Sequence, residues 1–209
     1  MQGFPPKPPV WAMALAAAAV AVDLGYFAPQ GNVPSRFAMV ALVVFALERA
    51  PGIGPQGLGF RRRPEPDWRT WGRWSYLLGV AILAVAGLIW LLLYAGGKAP
   101  RETGPMPLTP YTLWAALVQA PFLEEFLYRS VFCLSPLMLL GRRGLVFAGG
   151  LAFVALHWRY GTLAANHFAA GLALTWAYLR SGSIWVPVLL HFAGNLAVVL
   201  GAMALRLLT

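Results

Sequence analysis

Charge is what this chain has least of. Asp, Glu, Lys and Arg make up 11% of its 209 residues, against about 25% in an ordinary soluble domain. Hydrophobic residues reach 59% and the mean hydropathy is +0.66. There is too little polar side chain to cover a water-soluble globule of this size, which excludes a soluble enzyme, an acidic disordered chain and a fibre. Acidic residues are scarcer still, seven against sixteen Lys and Arg, a formal charge of +9. No basic stretch is interleaved with stacking aromatics, so nucleic acid is not the expected partner. The cations flank apolar runs, where they set orientation and meet anionic lipid headgroups. Cysteine is reduced to Cys133, which excludes an internal disulfide and any cysteine-rich metal site. It sits among apolar residues and reads as an inert small hydrophobe.

What is present is a series of apolar runs, and they predict an all-α, polytopic membrane protein. Runs at residues 10–28, 37–47, 76–95, 111–140, 145–158, 162–179 and 184–205 suggest about seven membrane segments, with six and eight as alternatives. The second is short and spans only if extended back to Val33 or tilted among its neighbours. A signal peptide competes for the first run, but its charged flank is feeble and Asp23 falls where a cleavage site would be wanted, so a retained span is expected. Two Pro/Gly-rich stretches read as extramembrane loops: residues 50–73, with Arg61, Arg62 and Arg63 in a row, and residues 96–110. Alternating seven spans puts ten Lys and Arg on the N-terminal side against five on the other, namely Arg36, Lys98, Arg101, Arg159 and Arg206. That asymmetry predicts a cytoplasmic N-terminus. The composition, rich in Ala, Gly and Pro, suggests a bacterial chain and hence the inner membrane.

Carboxylates at membrane depth are expensive, about 2.5–3.5 kcal/mol each on insertion scales. The segment Glu124-Glu125-Phe126-Leu127-Tyr128-Arg129 carries two. Glu125 and Arg129 stand at i,i+4 and can pair. Glu124 points about 100° away and is left to face a polar cavity. An ion pair that only fixes helix packing is the plainer alternative. Later runs add His157, with Phe153 one turn before it, and His191 with Asn195 at i,i+4. Two histidines, an asparagine and a displaced glutamate on three apolar segments need one another's company. His167 shows no partner spacing and reads as an ordinary buried histidine. The chemistry open to the set is narrow. A glutamate and a histidine can deprotonate water, directly or through a bound divalent metal such as zinc held by Glu124, His157 and His191. A histidine and an asparagine one turn apart can donate to a developing oxyanion. No serine or cysteine stands in a nucleophile-like setting.

Three elements resemble the motifs of the CAAX-protease and bacteriocin-processing (CPBP, or Abi) family of intramembrane endopeptidases. They are E-E-x-x-x-R at Glu124, Glu125 and Arg129, F-x-x-x-H at Phe153 and His157, and H-x-x-x-N at His191 and Asn195. The stretch 171–187 looks similar as well, whereas Trp158-Arg159-Tyr160 departs from the small-residue turn of the family. The resemblance covers residues 111–199 and divides one membrane domain into N-terminal segments with the basic loop (1–109) and a catalytic helical core (110–209). It implies a cavity inside the bilayer, with Glu124 and His157 activating water. His191 and Asn195 would stabilise the oxyanion or help bind a metal, with Glu125 and Arg129 in support. The partners implied are lipid and a membrane-anchored protein or peptide substrate. A non-proteolytic immunity or scaffold protein on the same fold is the alternative; a small proton-coupled transporter fits less well, since no paired half-helices are visible.

Overall fold

In the computed structural model of the chain, every regular element among the described residues is a helix. Those residues are 8–31, 33–96, 108–162, 164 and 166–208; the prolines of residues 1–7 and most of the loop expected at 96–110 lie outside them. Helix α1 (Val10–Gln30) passes through a π-helical turn at Asp23–Phe27 and stops at Gly31, whose φ of 63° is the left-handed conformation glycine adopts freely. Helix α2 (Val33–Glu48) is longer than its apolar run, because Pro34 fits the first turn of a helix, where its missing N–H has no partner to lose. One further turn, Gly54–Gly57, precedes α3 (Trp68–Ala95). The carboxylate of Asp67 accepts the Thr70 N–H at 2.8 Å and caps α3, so residues 68–73, expected in a loop, are helical.

Helix α4 runs over residues 110–131 and alternates between α and π geometry, with π turns at Ala115–Gln119 and Phe126–Val131. Pro121 has no N–H to give to the preceding turn, which accounts for the first of them. The single segment expected at 111–140 is broken: Ser135 is extended, and Pro136–Leu140 forms a 3₁₀ turn. Then come α5 (Gly141–Arg159), α6 (Asn166–Ser181) and α7 (Trp185–Leu208).

Among the described residues three helices are long and apolar enough to cross a membrane: Val10–Gln30, Pro136–Arg159 and Trp185–Met203. Only about a third of each is buried inside the protein. The rest of their apolar surface faces outward, as it does in helices that meet lipid. At 16 residues each, α2 and α6 are short for a span. Part of the α3 side chains lies outside the described residues.

The core joins α1, α2 and α4 through Ala12, Ala16, Leu47, Leu123, Leu127 and Val131. Helices α5 and α6 approach closely because Gly171 has no side chain: a Cβ there would meet Phe153 Cβ at 2.6 Å and Gly150 Cα at 2.9 Å. The basic stretch after α2 is not loose. Leu58 carbonyl accepts Ser130 Oγ at 2.7 Å, and Gly59 carbonyl accepts the Ile184 N–H at 2.8 Å. Arg36 is also placed otherwise than its sequence position suggested. It is buried, not a loop cation.

Candidate active site

A cavity of about 350 Å³ lies between α1, α2, α4, α5 and α7, and Glu124, His157, His191 and Asn195 all line it. Each comes from an apolar stretch that packs by its neighbours. Glu124 and Glu125 sit on the short α-helical turn between the two π turns of α4, and both are buried. His157 closes α5, fixed by the Gly171 contact one turn earlier. His191 and Asn195 share a face of α7.

The ring tautomers follow from the partners. A carbonyl only accepts, so His157 donates Nδ1–H to the Phe153 carbonyl at 3.0 Å, and its Nε2 is the atom left for chemistry. His191 gives Nδ1–H to Glu125 Oε1 at 2.8 Å. The other oxygen of Glu125 lies 2.9 Å from Arg129 Nε, off the line of a hydrogen bond, so that contact is ionic. Arg129 Nη1 donates to the Tyr128 carbonyl at 3.2 Å, and the guanidinium carbon stands 5.2 Å from the Phe153 ring centre. Phe153 thereby touches three members of the set, its ring 4.5 Å from His157 and 5.7 Å from His191. Asn195 spends one amide hydrogen on the Ala116 carbonyl at 2.7 Å. A second amide hydrogen remains for a ligand.

Glu124 is the unusual member. Its Oε1 accepts the Tyr160 hydroxyl at 3.2 Å, while its Oε2 is buried and has no hydrogen-bond partner among the described residues. A buried carboxylate oxygen without a donor is costly and is a natural acceptor for a water proton. Gln119 Oε1, also lining the cavity, is buried and unpartnered in the same way. His167, expected to be unremarkable, stacks on His157 with ring centres 3.7 Å apart and accepts the Ala164 N–H at Nδ1. It does not line the cavity. Among the described residues no three His, Cys, Asp or Glu side chains are grouped to hold a metal ion. Glu124, His157 and His191 therefore border one space without forming a three-ligand cluster.

Sequence reasoning missed a second arm of the site. Asp23 and Arg36 form a buried ion pair through Nε–Oδ1 at 2.5 Å and Nη2–Oδ2 at 2.8 Å. Arg36 Nη1 donates to the Tyr160 hydroxyl, and Tyr128 donates its hydroxyl to Asp23 Oδ2 at 2.8 Å. The signal was an aspartate inside an apolar run, which should have prompted a search for its cation.

Fold and site together define the class: an integral membrane protein, helical in every regular element of its described residues, with one cavity lined by Glu124, His157, His191 and Asn195. Residues 106–197 match the family described as type II CAAX prenyl endopeptidase Rce1-like, so this stretch belongs to the CPBP family, and the family implies a CAAX-protease-like peptidase. The match takes in all three motifs and leaves out α1, α2 and α3. No curated protein and no solved structure matches the chain.

Proposed function

We propose that the protein is an intramembrane endopeptidase that hydrolyses a peptide bond of a membrane-anchored protein or peptide. The observation that carries this reading is the free, buried Oε2 of Glu124 in a cavity also lined by His157, His191 and Asn195. Water held between Glu124 Oε2 and His157 Nε2 loses a proton to this pair as its oxygen attacks the carbonyl carbon. The negative oxygen that develops is met by the second amide hydrogen of Asn195 and by His191. With Nδ1–H committed to Glu125, only the protonated His191 ring has an N–H to offer. The carbon–nitrogen bond then breaks, and the proton taken from water goes to the leaving amine. The donor set does not form a three-ligand cluster among the described residues, and the reaction is written without a metal. The Lys and Arg count supports a cytoplasmic N-terminus, and the Ala-, Gly- and Pro-rich composition supports a bacterial inner membrane.

The test uses full-length protein in phosphatidylethanolamine–phosphatidylglycerol vesicles with a quenched-fluorescent reporter peptide, lipid-modified on a cysteine near its C-terminus. Wild type is expected to cleave it, and Glu124→Gln to be inactive with an unchanged melting temperature. Cleavage by Glu124→Gln at the wild-type rate overturns the role of Glu124 as base, and no cleavage by wild type overturns the reading in favour of a binding or scaffold protein. Metal analysis of the same sample with a chelator arm is expected to leave the activity intact; loss restored by zinc would replace the metal-free step.

A further inference from the structure

We propose that Tyr160 is a positioning residue for Glu124, and that the buried Asp23–Arg36 pair, contributed by α1 and α2, sets the direction of its hydrogen bond. The inference rests on the protease reading above but concerns residues which that reading does not use. Tyr160 is the residue that ends α5, directly after Arg159. A phenol has one hydrogen and can accept as well. Arg36 Nη1 donates to the Tyr160 oxygen, and a guanidinium cannot accept, so the phenol hydrogen is left for Glu124 Oε1. Arg36 in turn cannot swing away. Two of its nitrogens are held by the two oxygens of Asp23, and Asp23 also takes the Tyr128 hydroxyl.

The consequence falls on Glu124. One oxygen is engaged by a donor whose direction is fixed, so the carboxylate has one orientation and the other oxygen, Oε2, is the one presented as base. The end of α5 is pinned against α1 as well, since Arg159 Nε donates to the Leu24 carbonyl at 2.9 Å. The Tyr160 ring stands edge-on to His157 with centres 5.7 Å apart, so one residue borders both water-activating groups. Asp23 and Arg36 lie outside the stretch that matches the family, and Tyr160 lies inside it. The site is thus completed by a part of this chain that the family pattern does not describe.

Tyr160→Phe removes one oxygen and keeps the ring. On the lipid-modified reporter peptide, kcat is expected to fall about 10- to 100-fold with KM within twofold, the size of effect that a misaimed catalytic group produces. The melting temperature should fall modestly, because Arg36 Nη1 and Glu124 Oε1 each lose a partner while the ring stays packed. Arg36→Lys keeps the charge facing Asp23 but loses the planar fork, and should reproduce part of the kcat loss. A second readout needs no turnover: in protein labelled with carboxyl-¹³C glutamate, the infrared band assigned to Glu124 by its loss in Glu124→Gln should shift in Tyr160→Phe. Wild-type kcat together with an unshifted band in Tyr160→Phe overturns the proposal. If Glu124→Gln is inactive while Tyr160→Phe is fully active, the positioning role falls and the protease reading stands. If wild type cleaves nothing, the protease reading falls, and the infrared band alone decides the Tyr160–Glu124 contact.

Discussion

Two buried carboxylate–guanidinium pairs stand behind this cavity, and they differ in how they reach it. In the family-matched core, Glu125 and Arg129 are one turn apart on the same helix, and Glu125 hands its second oxygen to His191. In the N-terminal region, Asp23 and Arg36 come from two helices, and Arg36 reaches Glu124 only through Tyr160. The first pair orients the imidazole assigned to the oxyanion; the second orients the carboxylate assigned to water. Isolated charges are untenable in an apolar interior, so the Asp23–Arg36 pair also holds α1 to α2. The comparison shows that a motif carries only those supports that lie within its own helix turn. Supports drawn from elsewhere in the chain leave no fixed spacing behind.

The largest expected effects break one pair at a time. Arg129→Ala leaves Glu125 buried and uncompensated, and Arg36→Ala does the same to Asp23; each should cost about 3–5 kcal/mol and reduce the yield of folded protein. Replacing both members of the N-terminal pair, Asp23→Leu with Arg36→Met, should recover much of that stability, because no bare charge remains. The double variant should still turn over more slowly than wild type, since Tyr160 has lost its fixed donor. Thermal unfolding in detergent and reporter cleavage would separate the two outcomes. A double variant that is both stable and fully active would mean that the N-terminal pair is only a packing device.

A smaller effect sharpens the division inside the cavity. Asn195 gives one amide hydrogen to the Ala116 carbonyl, and in the proposed reaction the other is the one that meets the oxyanion. Asn195→Ala should lower kcat by about 10²–10³-fold with KM nearly unchanged. Its lost tie to α4 should show separately, as a modest drop in melting temperature. His167→Ala, outside the cavity but stacked on His157, should change kcat less than about tenfold, because it touches a reacting group without replacing one. A loss as deep as that of Asn195→Ala would make His167 part of the machinery.

The sequence made one of these arms legible and hid the other for a physical reason. Glu124, Glu125, Arg129, His157, His191 and Asn195 announce themselves by helical spacing within apolar runs, where every polar group needs an explanation. Asp23 stood out by the same criterion, but its cation is 13 residues away across a turn, and no periodicity predicts that meeting. Arg36 was assigned to a flank because it begins an apolar run, and Tyr160 entered only as the last residue of Trp158-Arg159-Tyr160, with no partner spacing to mark it. Helix type was readable from the runs. Helix ends were less so, since Asp67 capping α3 and Ser135 breaking the run at 111–140 act through local hydrogen bonds that hydropathy does not register.

The smallest effect comes from the carboxylate that performs a structural task in water. Asp67 is fully exposed and accepts the Thr70 N–H, which holds its carboxyl below the ordinary value of 3.8, with Arg69 and Arg73 adding to the shift. A carboxyl lowered in the folded state stabilises the fold above its unfolded pKa, and that contribution is lost as pH falls through the folded value. Asp67→Asn keeps a capping oxygen but cannot titrate. The melting temperature of wild type should therefore exceed that of Asp67→Asn slightly at about pH 6, and the difference should vanish by about pH 2, below the ordinary carboxylate range. Added salt should shrink the part due to the arginines and leave the hydrogen bond. Solvent already satisfies an exposed carboxylate, so the same substitution that is slight here would be severe at Asp23. A difference at Asp67 that widened toward acid, or matched the loss in an Asp23→Asn variant, would contradict the claim that burial separates the two.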